Sequence, residues 1–235
     1  MQQILIIGLV AGLCTLLGAA MLFLKRNWNN DALAVFLGLA AGVMIAVVLM
    51  DMLPSALLWD WKAAAGGFAI GFGAICWLNR MLFTSVNPTG DTLLGLGYLI
   101  MLGIAMHDLP EGMAIALGSE LKARTGMVIA LAIGIHNIPE GMAIAAPLLM
   151  AGLRKFHILI LVLLLGFITP LGTLAGLFLL ELLPGVLPWL MGIASGIMAY
   201  LVFGQLWPEA GRKGKRARFK GLIAGIAIII LATFI

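Results

Sequence analysis

Apolar residues fill the chain in long blocks, and the breaks between blocks fall at charges, Gly/Pro clusters and Asn/Asp runs. A helix that spans a bilayer needs about 20 mostly apolar residues. Eight blocks reach or approach that length: about 3–24, 32–57, 63–82, 93–118, 125–150, 156–180, 186–206 and 219–235. The last is short and relies on Phe219 and a snorkelling Lys220 at its edge. The first runs apolar from Ile4 to Leu24 with no basic residue before it, so it reads as a retained helix rather than a cleaved signal. The joining stretches are too short for a second domain, and the expectation is a single all-α, polytopic transmembrane domain over 1–235.

Composition agrees and excludes a water-soluble globule. Hydrophobic residues make up 63% and charged residues 10%, where a soluble domain carries about 25% charged. The net charge is only +4, which argues against a nucleic-acid partner. Cys14 and Cys76 lie in separate apolar blocks and read as free buried thiols.

The placement of Lys and Arg orients the blocks. Lys25, Arg26, Arg80, Arg154, Lys155, Arg212, Lys213, Lys215, Arg216, Arg218 and Lys220 fall on one side, and Lys62, Lys122 and Arg124 on the other. The richer side is the cytoplasm, which leaves both termini extracytoplasmic and makes the cell (inner) membrane the address. The basic run from Arg212 to Lys220 reads as a topological anchor.

Two internal echoes stand out. His107-Asp-Leu-Pro-Glu-Gly-Met-Ala-Ile-Ala116 and His136-Asn-Ile-Pro-Glu-Gly-Met-Ala-Ile-Ala145 agree at eight of ten positions, 29 residues apart. They occupy the fourth and fifth blocks, which run antiparallel. More faintly, Gly42, Met44, Pro54 and Ala56 recur as Gly196, Met198, Pro208 and Ala210, each 154 residues on. Blocks 1 to 3 and 6 to 8 then read as inverted repeats around a central pair, an arrangement typical of alternating-access transporters.

The central pair carries the chemistry. His107, Asp108 and Glu111 share one stripe of the fourth block, and His136, Asn137 and Glu140 repeat the stripe on the fifth. Three acids at membrane depth together cost about 8 to 10 kcal/mol on insertion scales, and no Lys or Arg lies at that depth. A bound divalent cation compensates most simply. Imidazole nitrogen with carboxylate oxygen suits Zn(II) and its neighbours, and the lack of thiolates argues against Cu(I) or iron-sulfur. Pro110 and Pro139 are expected to free the carbonyls of Met106 and Ile135 and to kink both helices, with Gly112 and Gly141 loosening them or allowing close approach.

At these motifs the sequence resembles the ZIP (Zrt/Irt-like) family of divalent metal transporters, in particular its short bacterial members. The resemblance implies Zn(II) uptake, with Fe, Mn, Co, Ni or Cd as related cargo, no organic cofactor and no enzymatic activity. It implies that His107, Glu111, His136 and Glu140 ligate the ion, with Asp108 and Asn137 beside a second. It also implies a homodimer in which helices 1, 4, 5 and 6 move against 2, 3, 7 and 8. The chain departs from the family pattern at Asp108, where Asn is usual, and at Thr169, where many members have Glu. Gly204-Gln205 stands where an acidic pair is common, and no His-rich loop occurs near 87–91.

Three rival readings were weighed against transport of a metal. An intramembrane metal-dependent hydrolase lacks the His-Glu-x-x-His pattern, a haem protein does not suit three adjacent acids, and a proton-coupled carrier of an organic substrate would use the acids as a relay. Among outlying residues, His157 reads as interfacial, Asp51 and Glu209 as capping or solvated groups near opposite ends that could instead attract cations at the two mouths, the methionines as gap fillers, and Gly66, Gly67, Gly71 and Gly73 as close helix packing.

Overall fold

The computed structural model describes residues 2–24, 29–83, 91–182 and 185–233, and every regular element in them is helical. Lys25 and Arg26 and the stretch 87–90 lie outside the described residues. The elements are α1 (Gln2–Leu22), α2 (Asn30–Val47), α3 (Leu53–Phe83), α4 (Asp91–Leu121), α5 (Ala123–Met150), α6 (Lys155–Gly166), α7 (Ile168–Leu182), α8 (Val186–Tyr200), α9 (Trp207–Lys213) and α10 (Lys215–Thr233). Two π-helical turns, Val48–Met52 and Leu201–Leu206, join α2 to α3 and α8 to α9.

Local chemistry explains the breaks. The Asn29 side chain accepts from Ala32 N at 2.9 Å and starts α2. Asp60 leaves helical geometry (φ −148°, ψ 99°), and its carboxylate accepts from the N–H groups of Lys62 and Ala63 at 3.0 and 3.1 Å. It therefore caps a new helix within α3. At the end of α5, Gly152 takes φ 89° while Gly152 N and Leu153 N donate to the carbonyls of Leu149 and Leu148. That paired closure requires a left-handed residue, which glycine supplies.

Several expected boundaries moved. The expected seventh block does not end at 206 but continues through its π turn to Lys213, and α10 begins at Lys215 rather than 219. The expected sixth block is interrupted at Phe167. Pro110 and Pro139 end neither helix: α4 and α5 run on through them. Cys14 and Cys76 are free but only half-buried.

Six helical stretches among the described residues are long and apolar enough to cross a membrane. One of them, Asn30–Met81, is 52 residues long, about 78 Å at helical rise and more than twice the bilayer core of about 30 Å. The cap at Asp60 falls near its middle. The fold is that of a polytopic helical membrane protein.

Packing follows glycines. Helix α2 lies along α10, where a Cβ at Gly38 or Gly42 would meet the carbonyl of Arg218 or Leu222, and one at Gly221 or Gly225 that of Val35 or Leu39. Helix α8 lies along α3 in the same way: Gly192 and Gly196 meet Ala64 and Phe68, and Gly67 and Gly71 meet Trp189 and Ile193. Every residue of one seam lies 154 positions from its counterpart in the other. Gly66 packs on the Trp189 ring, whereas nothing lies within 4 Å of a Cβ at Gly73, so Gly73 is no packing glycine. Helices α1, α4, α5, α6 and α7 pack chiefly among themselves, as do α2, α3, α8, α9 and α10.

Candidate metal centre

Helices α4 and α5 cross at their motifs because those glycines let flanking helices close in. A Cβ at Gly112 would meet the backbone of Thr169 and Thr173 on α7, and one at Gly141 that of Thr15 and Ala19 on α1. Thr15 and Thr169 again differ by 154, as do Ala19 and Thr173. The two half-sites are therefore seated in matching register, each motif held from behind by one helix.

All six candidate ligands are buried, none more than 4% exposed. His107 Nδ1 lies 3.0 Å from the Gly103 carbonyl, and so takes the proton there and leaves Nε2 with its lone pair. That Nε2 faces Glu140 Oε1 at 3.4 Å and Asp108 Oδ1 at 3.6 Å. His136 Nε2 lies 3.2 Å from Glu111 Oε2. Asn137 Nδ2 donates to the Ala11 carbonyl at 3.0 Å, so its amide oxygen is left to face the site.

Much of this polarity has no protein partner. Both oxygens of Asp108 and of Glu140, Glu111 Oε1, Asn137 Oδ1, His107 Nε2 and the hydroxyls of Thr15 and Thr169 are buried without a hydrogen bond. Buried polar atoms are nearly always paired, and a cluster of unpaired acceptors is a setting that suits a cation. Ligand atoms of His107, Asp108 and Glu111 lie within 4.8 Å of one another. Donors about 2.0 to 2.2 Å from one zinc stand about 3 to 4 Å apart, so a small rotamer adjustment closes the set.

A cavity of about 220 Å³ leads away from Glu111 and His136. It passes Asp51, Ser55 and Trp59 and reaches Thr125 and Leu187 at the end of the bundle that carries the α4–α5 turn. On the other side of the site, Met44, Ile100, Ile104, Leu148 and Leu201 are fully buried in one apolar cluster. Among the described residues, this cavity opens the site toward that end.

Asp51, for which the sequence left capping and cation attraction at a mouth both open, lines this cavity. It lies in the first π turn and lines the cavity together with Glu111 and His136. Thr15 was missed outright, and its signal was the same 154-residue spacing to Thr169. The other outlying residues stay outside. His157 is exposed in the first turn of α6 beside Phe156, and Glu209 pairs with Arg212 at 3.1 Å and Lys213 at 3.6 Å.

A polytopic helical membrane protein with an imidazole and carboxylate cluster enclosed in its core defines a class that handles divalent cations. The family described as ZIP Zinc transporter matches residues 85–233. The zinc transporter ZupT of Chlorobium luteolum is 35% identical over 98% of this chain and 97% of its own length. ZupT of Escherichia fergusonii is 36% identical over 88% and 86%, and the zinc transporter ZTP29 of Arabidopsis thaliana 33% over 94% and 90%. The chain belongs to the ZIP family, a family of transporters rather than enzymes.

Proposed function

We propose that this protein carries Zn(II) into the cytoplasm across the cell (inner) membrane, exposing one buried site to each side in turn. The observation that carries the reading is the set of orphaned donors from Asp108, Glu111, Asn137, Glu140 and His107, reached by a cavity from one end. In this reading His107, Glu111, His136 and Glu140 bind the ion, with Asp108 and Asn137 completing its shell or holding a second.

The finer architecture belongs to the same proposal. The chain is one transmembrane domain that crosses eight times: the cap at Asp60 divides the long stretch, the break at Phe167 leaves α6 and α7 as one crossing, and α10 adds the last behind its basic first turns. Inverted repeats are supported by the paired glycine seams at the 154-residue offset and by π turns at matching positions. The Lys and Arg bias supports extracytoplasmic termini, so the open cavity faces outward. The two packing groups fit a moving unit and a scaffold, and the family resemblance carries the homodimer.

Purified protein in liposomes should take up zinc, and a protein that moves no zinc or other divalent ion down an imposed gradient would sink the reading. Metal and protons should compete, because a ligating histidine must be neutral and a ligating carboxylate ionised. Imidazole titrates near 6.5 and carboxylates near 4 in water, so acidifying the open side below about pH 6 weakens zinc binding and raising the pH restores it. Zinc titrations by calorimetry at several pH values check this, and an affinity that is flat or rises on acidification contradicts it.

A further inference from the structure

The mouths at the two ends of the path are built from the same parts and differ in charge. Adding 154 to Val47, Asp51, Ser55 and Trp59 gives Leu201, Gln205, Glu209 and Lys213. The first four line the open cavity, and Asp51 lies in the first π turn as Gln205 lies in the second. Leu201 packs on Gly103, one helical turn from His107 and on the side away from the cavity, so Gln205, a turn further, lies toward the opposite end of the bundle, where the repeat relation puts the second mouth. Around the ion the halves are near copies, His107 with His136, Glu111 with Glu140, and Thr15 with Thr169.

At the open mouth Asp51 contributes one negative charge, with Ser55 and Trp59 neutral, while Lys122 and Arg124 on the α4–α5 turn are not part of the lining. At the closed mouth Gln205 is neutral, and the Glu209 carboxylate is taken up by Arg212 and Lys213, which together outweigh it. A cleft lined by one sign of charge concentrates counter-ions and speeds their capture, an effect that weakens with ionic strength.

We propose that Asp51 is a side-specific capture residue: it draws the divalent ion into the open mouth and adds to its affinity there, while the repeat-related Gln205, with the paired Glu209, leaves the other mouth without such a hold, so that the ion is bound tightly on one side and released on the other. The inference rests on the transport reading. Asymmetry of this kind sets half-saturation and rate on each side and leaves the final gradient to the driving force, because the empty carrier's preference for one orientation compensates.

The test measures initial zinc flux from each face, using intact cells and inside-out membrane vesicles holding the full-length protein. At low ionic strength KM is expected to be about tenfold lower from the Asp51 face, and added salt narrows the gap. Asp51→Asn, which keeps size and shape, raises KM on that face toward the value on the other. Gln205→Asp lowers KM on the opposite face, a gain that a merely structural role would not produce. Equal KM values from both faces of the wild type, or an Asp51→Asn variant with unchanged KM, overturn the proposal. If neither face shows flux of zinc or another divalent ion, the transport reading falls and takes this inference with it.

Discussion

Replacing Glu111 and Glu140 together with alanine removes zinc uptake while leaving the fold intact. Even outer-sphere partners of metal ligands are worth about 10- to 100-fold in affinity or activity, so losing two direct carboxylates should lower uptake more than about 100-fold. His107 loses the oxygen at 3.4 Å and His136 the one at 3.2 Å, which leaves Asp108 as the remaining anion of the six. Stability should move the other way or not at all. An acid at membrane depth costs about 2.5 to 3.5 kcal/mol on insertion scales, and three of the four oxygens removed have no hydrogen bond in the protein. Uptake into proteoliposomes, measured beside thermal melting in detergent, separates the two effects. A variant that melts with wild type and still moves zinc would remove this cluster from the path; one that fails to insert would show the carboxylates to be structural.

The parts of this protein that the sequence made legible are those repeated in it. The two His-x-x-Pro-Glu-Gly motifs drew attention to the residues that the fold buries face to face, because acids in an apolar helix demand a partner whatever the fold. The faint echo from Gly42 to Ala56 proved to mark a complete packing register, in which Gly38 answers Gly192 and Gly67 answers Gly221. What stayed hidden depended on three dimensions. Asp51 could be read either as a helix-end acid or as a cation-attracting group, and its place in the cavity shows only when α4, α5 and α8 are set around it. The break at Phe167 lies inside the sixth block and leaves no mark on its apolar run, unlike that at Asp60, which falls in the gap the sequence leaves between the second and third blocks. Pro110 and Pro139 lie inside continuous helices, since a missing N–H removes one helical hydrogen bond without ending the helix.

Substituting valine at Gly112 or Gly141 should damage the site as severely as removing a ligand, though neither residue offers a donor. The neighbours are backbone and cannot yield by rotating. A Cβ at Gly112 would stand 2.7 Å from Thr173 N and 2.9 Å from the Gly172 carbonyl carbon, and one at Gly141 3.1 Å from Ala19 N as well as against the Thr15 carbonyl. Relief requires α7 or α1 to move outward as a unit, and forced overpacking of this sort costs about 1 to 3 kcal/mol or more. Because Glu111 and Glu140 immediately precede these glycines, the same shift pulls each carboxylate away from the imidazole it faces. Melting temperature and zinc affinity are therefore expected to fall together. Gly73→Val is the matched control, since nothing lies within 4 Å of its Cβ, and it should leave both unchanged. Were Gly141→Val to melt and bind zinc like wild type, α1 and α5 would have to separate freely, and the glycine would be read as a flexible point in the helix rather than as the seat on which the second half-site rests.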